Sequence, residues 1–241
     1  MSVRRFTAPD AAGAAEACAH HVISVLDETL AGQEFATFAV SGGSTPRLLF
    51  QRLAAIQFAW DRVHLFFVDE RCVPPTDPAS NYKLAEDCLI GPAHIPHRHV
   101  HRIAGELPPQ AAAARYTAEI REHFGLEQGE MPHFDLVHRG MGPDAHSASL
   151  FPGEPLIDDR EGIAAAVYVA KLNMWRVTLL PGVLLAAKHT VFLVAGADKA
   201  DAVRAVFHEE YDPKKYPAQM ASHHGRGVSW FVDESAAKLM D

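Results

Sequence analysis

The stretch Gly140-Met141-Gly142-Pro143-Asp144-Ala145-His146-Ser147-Ala148-Ser149-Leu150-Phe151-Pro152-Gly153 holds one histidine among small and polar residues. An imidazole in such a loop can take a proton from water near neutral pH, which makes His146 a candidate general base. A lone loop histidine is otherwise simply an exposed side chain, so its surroundings must carry the assignment. Gly140, Gly142 and Ala145 also fit GxGxxG/A, but Pro143 stiffens the turn and Phe151-Pro152-Gly153 stops any helix that begins there. The acidic residues further on, Asp158 and Asp159, fall in a loop-like stretch rather than at a strand end, so a dinucleotide site is set aside. Ser41-Gly42-Gly43-Ser44-Thr45-Pro46 offers different chemistry. Glycines permit close backbone approach, Thr45 can cap a helix and Pro46 suits its first turn. The open N–H groups and the positive helix end then accept an anion. Without a ligand the same residues make a well-capped strand-to-helix turn, and GxxxxGK[ST] is absent.

Asp69-Glu70-Arg71 places two carboxylates and a guanidinium together. They can orient a substrate or stabilise an oxyanion, or form an ion pair at a sheet edge. Arg176 and Lys199 stand near predicted element starts and are candidate phosphate partners, or else surface cations. His97, His99 and His101 alternate, so a strand would put them on one face. No carboxylate or cysteine at ligand spacing accompanies them, and a solvated edge strand is expected. His223-His224 is equally unframed.

These residues need elements to hold them. Asp10 is a plausible N-cap for a helix over 10–30, with Val22, Ile23, Leu26 and Leu30 at helical spacing. Strands are expected at 35–40, 63–68, 97–103, 134–138, 164–169, 191–194 and 228–232. Helices are expected from Pro46 to about Ile56 and near 82–89, 109–124, 199–208 and 234–240. The alternation favours an α/β fold, a mostly parallel sheet with helices on both faces. Three of the polar motifs follow strands, on the rim where such sheets bind ligands. No internal repeat or long linker divides the chain, so residues 1–241 read as a single domain.

Composition narrows the classes. The 241 residues are 48% apolar and 22% charged, which excludes wholesale disorder. The net charge of 22 − 30 = −8 argues against a chain-wide nucleic-acid surface while allowing a local anion pocket. Cys18, Cys72 and Cys88 form no CxxC pair, which fits a reducing compartment. Arg4-Arg5 precedes no apolar stretch, and no run is long enough to cross a membrane. A cytoplasmic protein with no nucleic-acid or membrane partner is expected. The sequence sets no oligomeric state, and a monomer is compatible with it.

Together, SGGSTP at 41–46, VDER at 68–71, Ser80-Asn81-Tyr82, VHRIAGE at 100–106, FDLV at 134–137 and the 140–153 stretch resemble the 6-phosphogluconolactonase family. Arg176-Val177-Thr178-Leu179, FLVAGADK at 192–199 and WFVDE at 230–234 extend the likeness, which spans roughly residues 35 to 234. The resemblance implies a Rossmann-like fold related to glucosamine-6-phosphate deaminase and ribose-5-phosphate isomerase. It implies hydrolysis of 6-phospho-D-glucono-1,5-lactone, the second step of the oxidative pentose phosphate pathway, with no cofactor and no metal. Carried over by position, His146 is the base that activates water, with Arg71 and Asp69 in the catalytic set. Gly42, Gly43, Ser44, Thr45, Asn81, Asp144, Arg176 and Lys199 form the substrate- and phosphate-binding set. Three features depart from the family pattern. Ala145 stands where glycine is usual, His138 and Arg139 stand where aliphatic residues are usual, and Arg176–Pro181 is one residue short. If position 145 needs a positive φ, alanine strains the loop.

The nearest rival is a sugar-phosphate deaminase or isomerase on the same fold. VDER and HSASLFPG favour the lactonase over it. A non-catalytic sugar-phosphate sensor is the rival from another class, but the α/β pattern begins by about residue 10 and leaves no room for a DNA-binding module ahead of it.

Overall fold

The computed structural model describes residues 3–240. Its strands are β1 (Arg4–Ala8), β2 (Ala36–Val40), β3 (Val63–Phe67), β4 (Asp69–Arg71), β5 (Val100–His101), β6 (Leu136–Arg139), β7 (Ala164–Val169), β8 (Met174–Leu179), β9 (His189–Val194) and β10 (Val228–Asp233). Its helices are α1 (Ala11–Leu30), α2 (Ser44–Ala55), α3 (Asn81–Ala85), α4 (Pro109–Phe124), α5 (Pro181–Ala186), α6 (Ala200–His208), α7 (Gln219–His224) and α8 (Glu234–Ala237).

Seven strands form the main sheet in the order β1-β10-β9-β6-β2-β3-β5, and every neighbouring pair is parallel. Parallel strands need crossovers that cover both faces, and the residues agree. All of β2 and β10 is buried. Along β9, Val191 and Leu193 join the core that includes α1, α2 and α4, while Phe192 and Val194 join Trp230, Val203 of α6 and Ala236 of α8. The chain is therefore an α/β fold with helices on both faces, as the alternation of elements predicts.

Strand order fixes where a ligand can sit. From β2 the chain steps outward through β3 to β5, then returns to β6 on the other side of β2 and proceeds to β9 and β10. The direction reverses between β2 and β6. Their carboxyl ends therefore open a crevice between the 41–43 turn and the 140–146 loop.

Other expectations need correcting. Residues 69–71 do not end β3. Val68 bonds to Val40 O through its N–H and accepts Leu179 N–H, and the chain then crosses into a second sheet, β4-β8-β7, which is antiparallel. Residues 164–169 belong to that sheet rather than to the parallel one. His97–His99 is a 3₁₀ turn, and the strand there is only Val100–His101, because Pro96 sets an extended entry and one short pairing with β3 suffices. Near 82–89, α3 ends at Ala85 and passes into a π-helical turn, Glu86–Ile90. β1, β8, α5 and α7 were not foreseen. No described helix is long and apolar enough to cross a membrane.

Candidate active site

The crevice is a cleft of about 220 Å³ between the ends of β2, β6 and β9. Gly42, Gly43, Ser44, Thr45, Asp69, His146 and Lys199 line it. The structure thus brings together four segments far apart in the chain.

At the end of β2, Gly43 caps α2 with φ 131, a conformation that favours glycine, and no side chain caps the helix. The helix starts at Ser44, so Thr45 lies inside the first turn and does not cap it, contrary to the sequence reading. The consequence favours a ligand, because the first N–H groups of a helix have no partner within it. A Cβ on Gly42 would fall 2.0 Å from Asn81 Oδ1. Only glycine leaves room for the Asn81 amide beneath the turn.

At the end of β6, His146 Nδ1 lies 2.5 Å from Asp144 Oδ1, and the other Asp144 oxygen accepts from Lys171 Nζ. Burial raises the Asp144 pKa, but hydrogen bonds from His146 and Lys171 outweigh it and hold the carboxyl well below the usual range. An ionised Asp144 accepts a hydrogen bond from the Nδ1–H group, which leaves Nε2 as the proton-accepting nitrogen. The His146 ring stacks on Phe151 at 4.1 Å, with Lys171 Nζ 4.3 Å from the same ring. Gly142 is required here, since a Cβ would meet His146 Nδ1 at 2.0 Å and Asp144 Oδ1 at 2.7 Å. Ala145 has φ 60, so a residue other than glycine holds a left-handed position. Strain of about 1 kcal/mol is the usual cost.

Asp69 forms the wall between the two loops. Its Oδ2 accepts Ser149 Oγ at 2.6 Å and lies 3.7 Å from Arg176 Nη1. Asn81 Nδ2 donates to Asp69 O at 2.8 Å. Arg71 and Arg176 face each other across β4 and β8. Arg71 Nη1 donates to Ala79 O. Burial lowers the Arg176 pKa and Asp69 draws it back up. Asn81, Asp144, Arg71 and Arg176 therefore stand behind the lining rather than in it.

Glu70, in β4, is buried against the start of α3. It accepts the N–H groups of Arg71 (2.7 Å), Asn81 (2.7 Å) and Tyr82 (2.8 Å) and the hydroxyl of Ser80 (2.9 Å). It is an anchor for the turn that carries Asn81 and not a free carboxylate. Burial pushes its pKa up against these donors.

Sequence reasoning passed over Lys171, Ser149 and Ser147. Ser149 and Ser147 lie inside the quoted loop motif, but Lys171 sits in the β7–β8 hairpin with no local signal. Arg139 is fully buried, donates from Nε to Ser147 Oγ at 2.9 Å and stacks 5.0 Å from Phe192. Ser147 Oγ donates in turn to Gly140 O at 2.9 Å, so Arg139 braces the base of the loop. Burial lowers its pKa to about 9, against the pull of Asp69.

Fold and cleft define an α/β protein with an open helix start and an Asp–His pair at the switch point of a parallel sheet. The family described as glucosamine-6-phosphate isomerases/6-phosphogluconolactonase matches residues 9–230, and the chain belongs to it. A 6-phosphogluconolactonase from Nostoc sp. is 34% identical over 216 residues, which cover 89% of each chain. The crystal structure of devB protein superposes with a TM-score of 0.87 at 31% identity, covering 99% of this chain and 100% of that one. A monomeric glucosamine-6-phosphate deaminase shares the fold, with a TM-score of 0.83, 17% identity and coverage of 98% of this chain and 100% of its own.

Proposed function

We propose that this chain hydrolyses 6-phospho-D-glucono-1,5-lactone to 6-phospho-D-gluconate, with residues 1–241 acting as one α/β domain. The observation that carries the reading is the Asp144–His146 pair, with His146 on the cleft wall and sharing that cleft with the α2 helix start and Lys199. The Nostoc relative's name supports the substrate.

A lactone is an activated ester, and a positioned base, water and charge stabilisation suffice for its hydrolysis. His146 Nε2 takes a proton from water as the water oxygen bonds to C1. Asp144 stabilises the imidazolium and keeps the ring in place. Electron density moves onto the carbonyl oxygen, and Arg176, with Arg71 behind it, supplies the positive field on the Asp69 side. Collapse breaks the bond from C1 to the ring oxygen, which receives the proton back from His146. The phosphate rests on the N–H groups of Gly43, Ser44 and Thr45 with Lys199 beside it. Asp69 holds Ser149 and Arg176 in position, and Asn81 fixes Asp69.

The test is acid release from enzymatically generated lactone, corrected for spontaneous hydrolysis. His146→Ala should lower kcat by about 10²–10⁴-fold with native circular dichroism. Near-normal kcat in that variant would overturn the role. No acceleration by the native chain would overturn the reaction.

A further inference from the structure

A second cluster of histidines lies at the edge of the main sheet, away from the cleft. His64 stands early in β3, His101 ends β5 and His123 lies in the last turn of α4. One nitrogen from each lies within 4.8 Å of the other two. His64 Nδ1 and His101 Nε2 are 2.9 Å apart, and His101 Nδ1 is 2.9 Å from Glu119 Oε1. The tautomers that satisfy both contacts have His101 donating to Glu119 and accepting from His64. Phe66 stacks on His101 at 4.1 Å, and His99 packs against His64 at 4.4 Å with its Nδ1 buried and unpartnered among the described residues.

We propose that His64, His101 and His123 bind one divalent transition-metal ion of the zinc, nickel or cobalt class, with Glu119 orienting His101 from behind. Three imidazoles with no carboxylate among the ligands suit these ions and not calcium or magnesium. Metal–nitrogen bonds of about 2.0–2.1 Å at tetrahedral angles need nitrogens about 3.3–3.5 Å apart, which small ring rotations reach from the observed spacing. A carboxylate on the far nitrogen of a ligating histidine fixes its tautomer and ring plane, and Glu119 does this for His101. The facing charged groups are Glu119, and Arg98 and Asp61 beside His99. Such an ion would tie the two-residue edge strand and the end of α4 to β3.

The experiment titrates the chelator-treated full chain with Zn²⁺ by calorimetry and with Co²⁺ by visible absorption. The proposal expects one equivalent bound, the intense visible band of tetrahedral cobalt, and a melting temperature that rises with Zn²⁺. His123→Asn, at a half-buried position, should lose at least about tenfold in affinity, and Glu119→Gln about 10–100-fold. A His223→Asn/His224→Asn double variant should bind as the native chain does. Absence of a saturable equivalent overturns the proposal. So does unchanged affinity in both His123→Asn and Glu119→Gln, or loss confined to the double variant.

Discussion

Single atoms decide whether the proposed base can work. His146 and Asp144 meet only because position 142 lacks a Cβ. Gly142→Ala should therefore push the pair apart with little loss of stability, since both side chains are partly exposed and can swing toward solvent. A displacement near 1 Å at a reacting group costs on the order of 10²-fold, to be read as kcat alongside an unchanged urea midpoint. His138 is the opposite case, a polar residue with no evident use. It is fully buried and neither ring nitrogen finds a partner among the described residues. Burial pushes its pKa down to about 3 from an ordinary 6.5. The folded chain thus refuses a proton that the unfolded chain accepts, so stability falls as pH drops below about 6.5. His138→Leu should raise stability by about 1–3 kcal/mol at pH 7.5 by removing unpaired polar atoms. Its advantage should widen by about 1.4 kcal/mol at pH 5.5, measured as denaturation midpoints at both pH values. A constant difference between them would mean that His138 takes up a proton in the fold as readily as in the unfolded chain. The residue pattern flagged positions 138, 139 and 145 as departures, but the burial of the first two was not legible. A histidine or arginine in a short apolar run carries no mark of which face it takes.

Among the elements, those with strong periodic or capping signals were legible. α1 begins after Asp10, whose carboxylate accepts Gly13 N–H at 2.8 Å, and α4 spans the residues its alanine-rich pattern predicts. The antiparallel sheet was not legible, because β4 is three residues long and β8 begins with exposed Trp175 beside half-buried Met174. Missing it hid the role of Glu70. Read as one of a pair of functional carboxylates, Glu70 instead gathers four donors and holds α3 to β4. Glu70→Ala would leave three N–H groups, the buried one of Asn81 and the part-buried ones of Arg71 and Tyr82, and the Ser80 hydroxyl without this acceptor. A loss of about 3–5 kcal/mol is expected, read as a fall in urea midpoint, with Asn81 released from Asp69 and kcat lowered in the surviving folded fraction. An unchanged midpoint would show that water replaces the carboxylate at no cost.

For the molecule as a whole, the switch point between β2 and β6 places the helix start and the proposed base across one cleft, and the proposed function predicts that this juxtaposition sets substrate choice. The phosphorylated lactone and plain glucono-1,5-lactone present the same carbonyl. Two or three charge-assisted contacts to phosphate, each worth about 1.5–3 kcal/mol before desolvation, should separate them by about 10²–10⁴ in kcat/KM. Equal kcat/KM would place the phosphate site elsewhere. The glycine-rich turn and the rim were legible because each motif follows a strand. The order of strands was not, because it depends on pairings far apart in sequence. One such pairing has a consequence in time. β1 aligns Arg4 with Ser229 and Ala8 with Asp233, and Phe6 stacks on Phe231 at 4.8 Å. A ribosome adding about 5–20 residues per second takes on the order of 10–45 s to travel from β1 to β10. Throughout that interval the nascent chain carries its first strand without the neighbour it will have when folded. That segment, RRFTA, bears two arginines beside one phenylalanine. The charges keep a waiting strand from pairing with others of its kind.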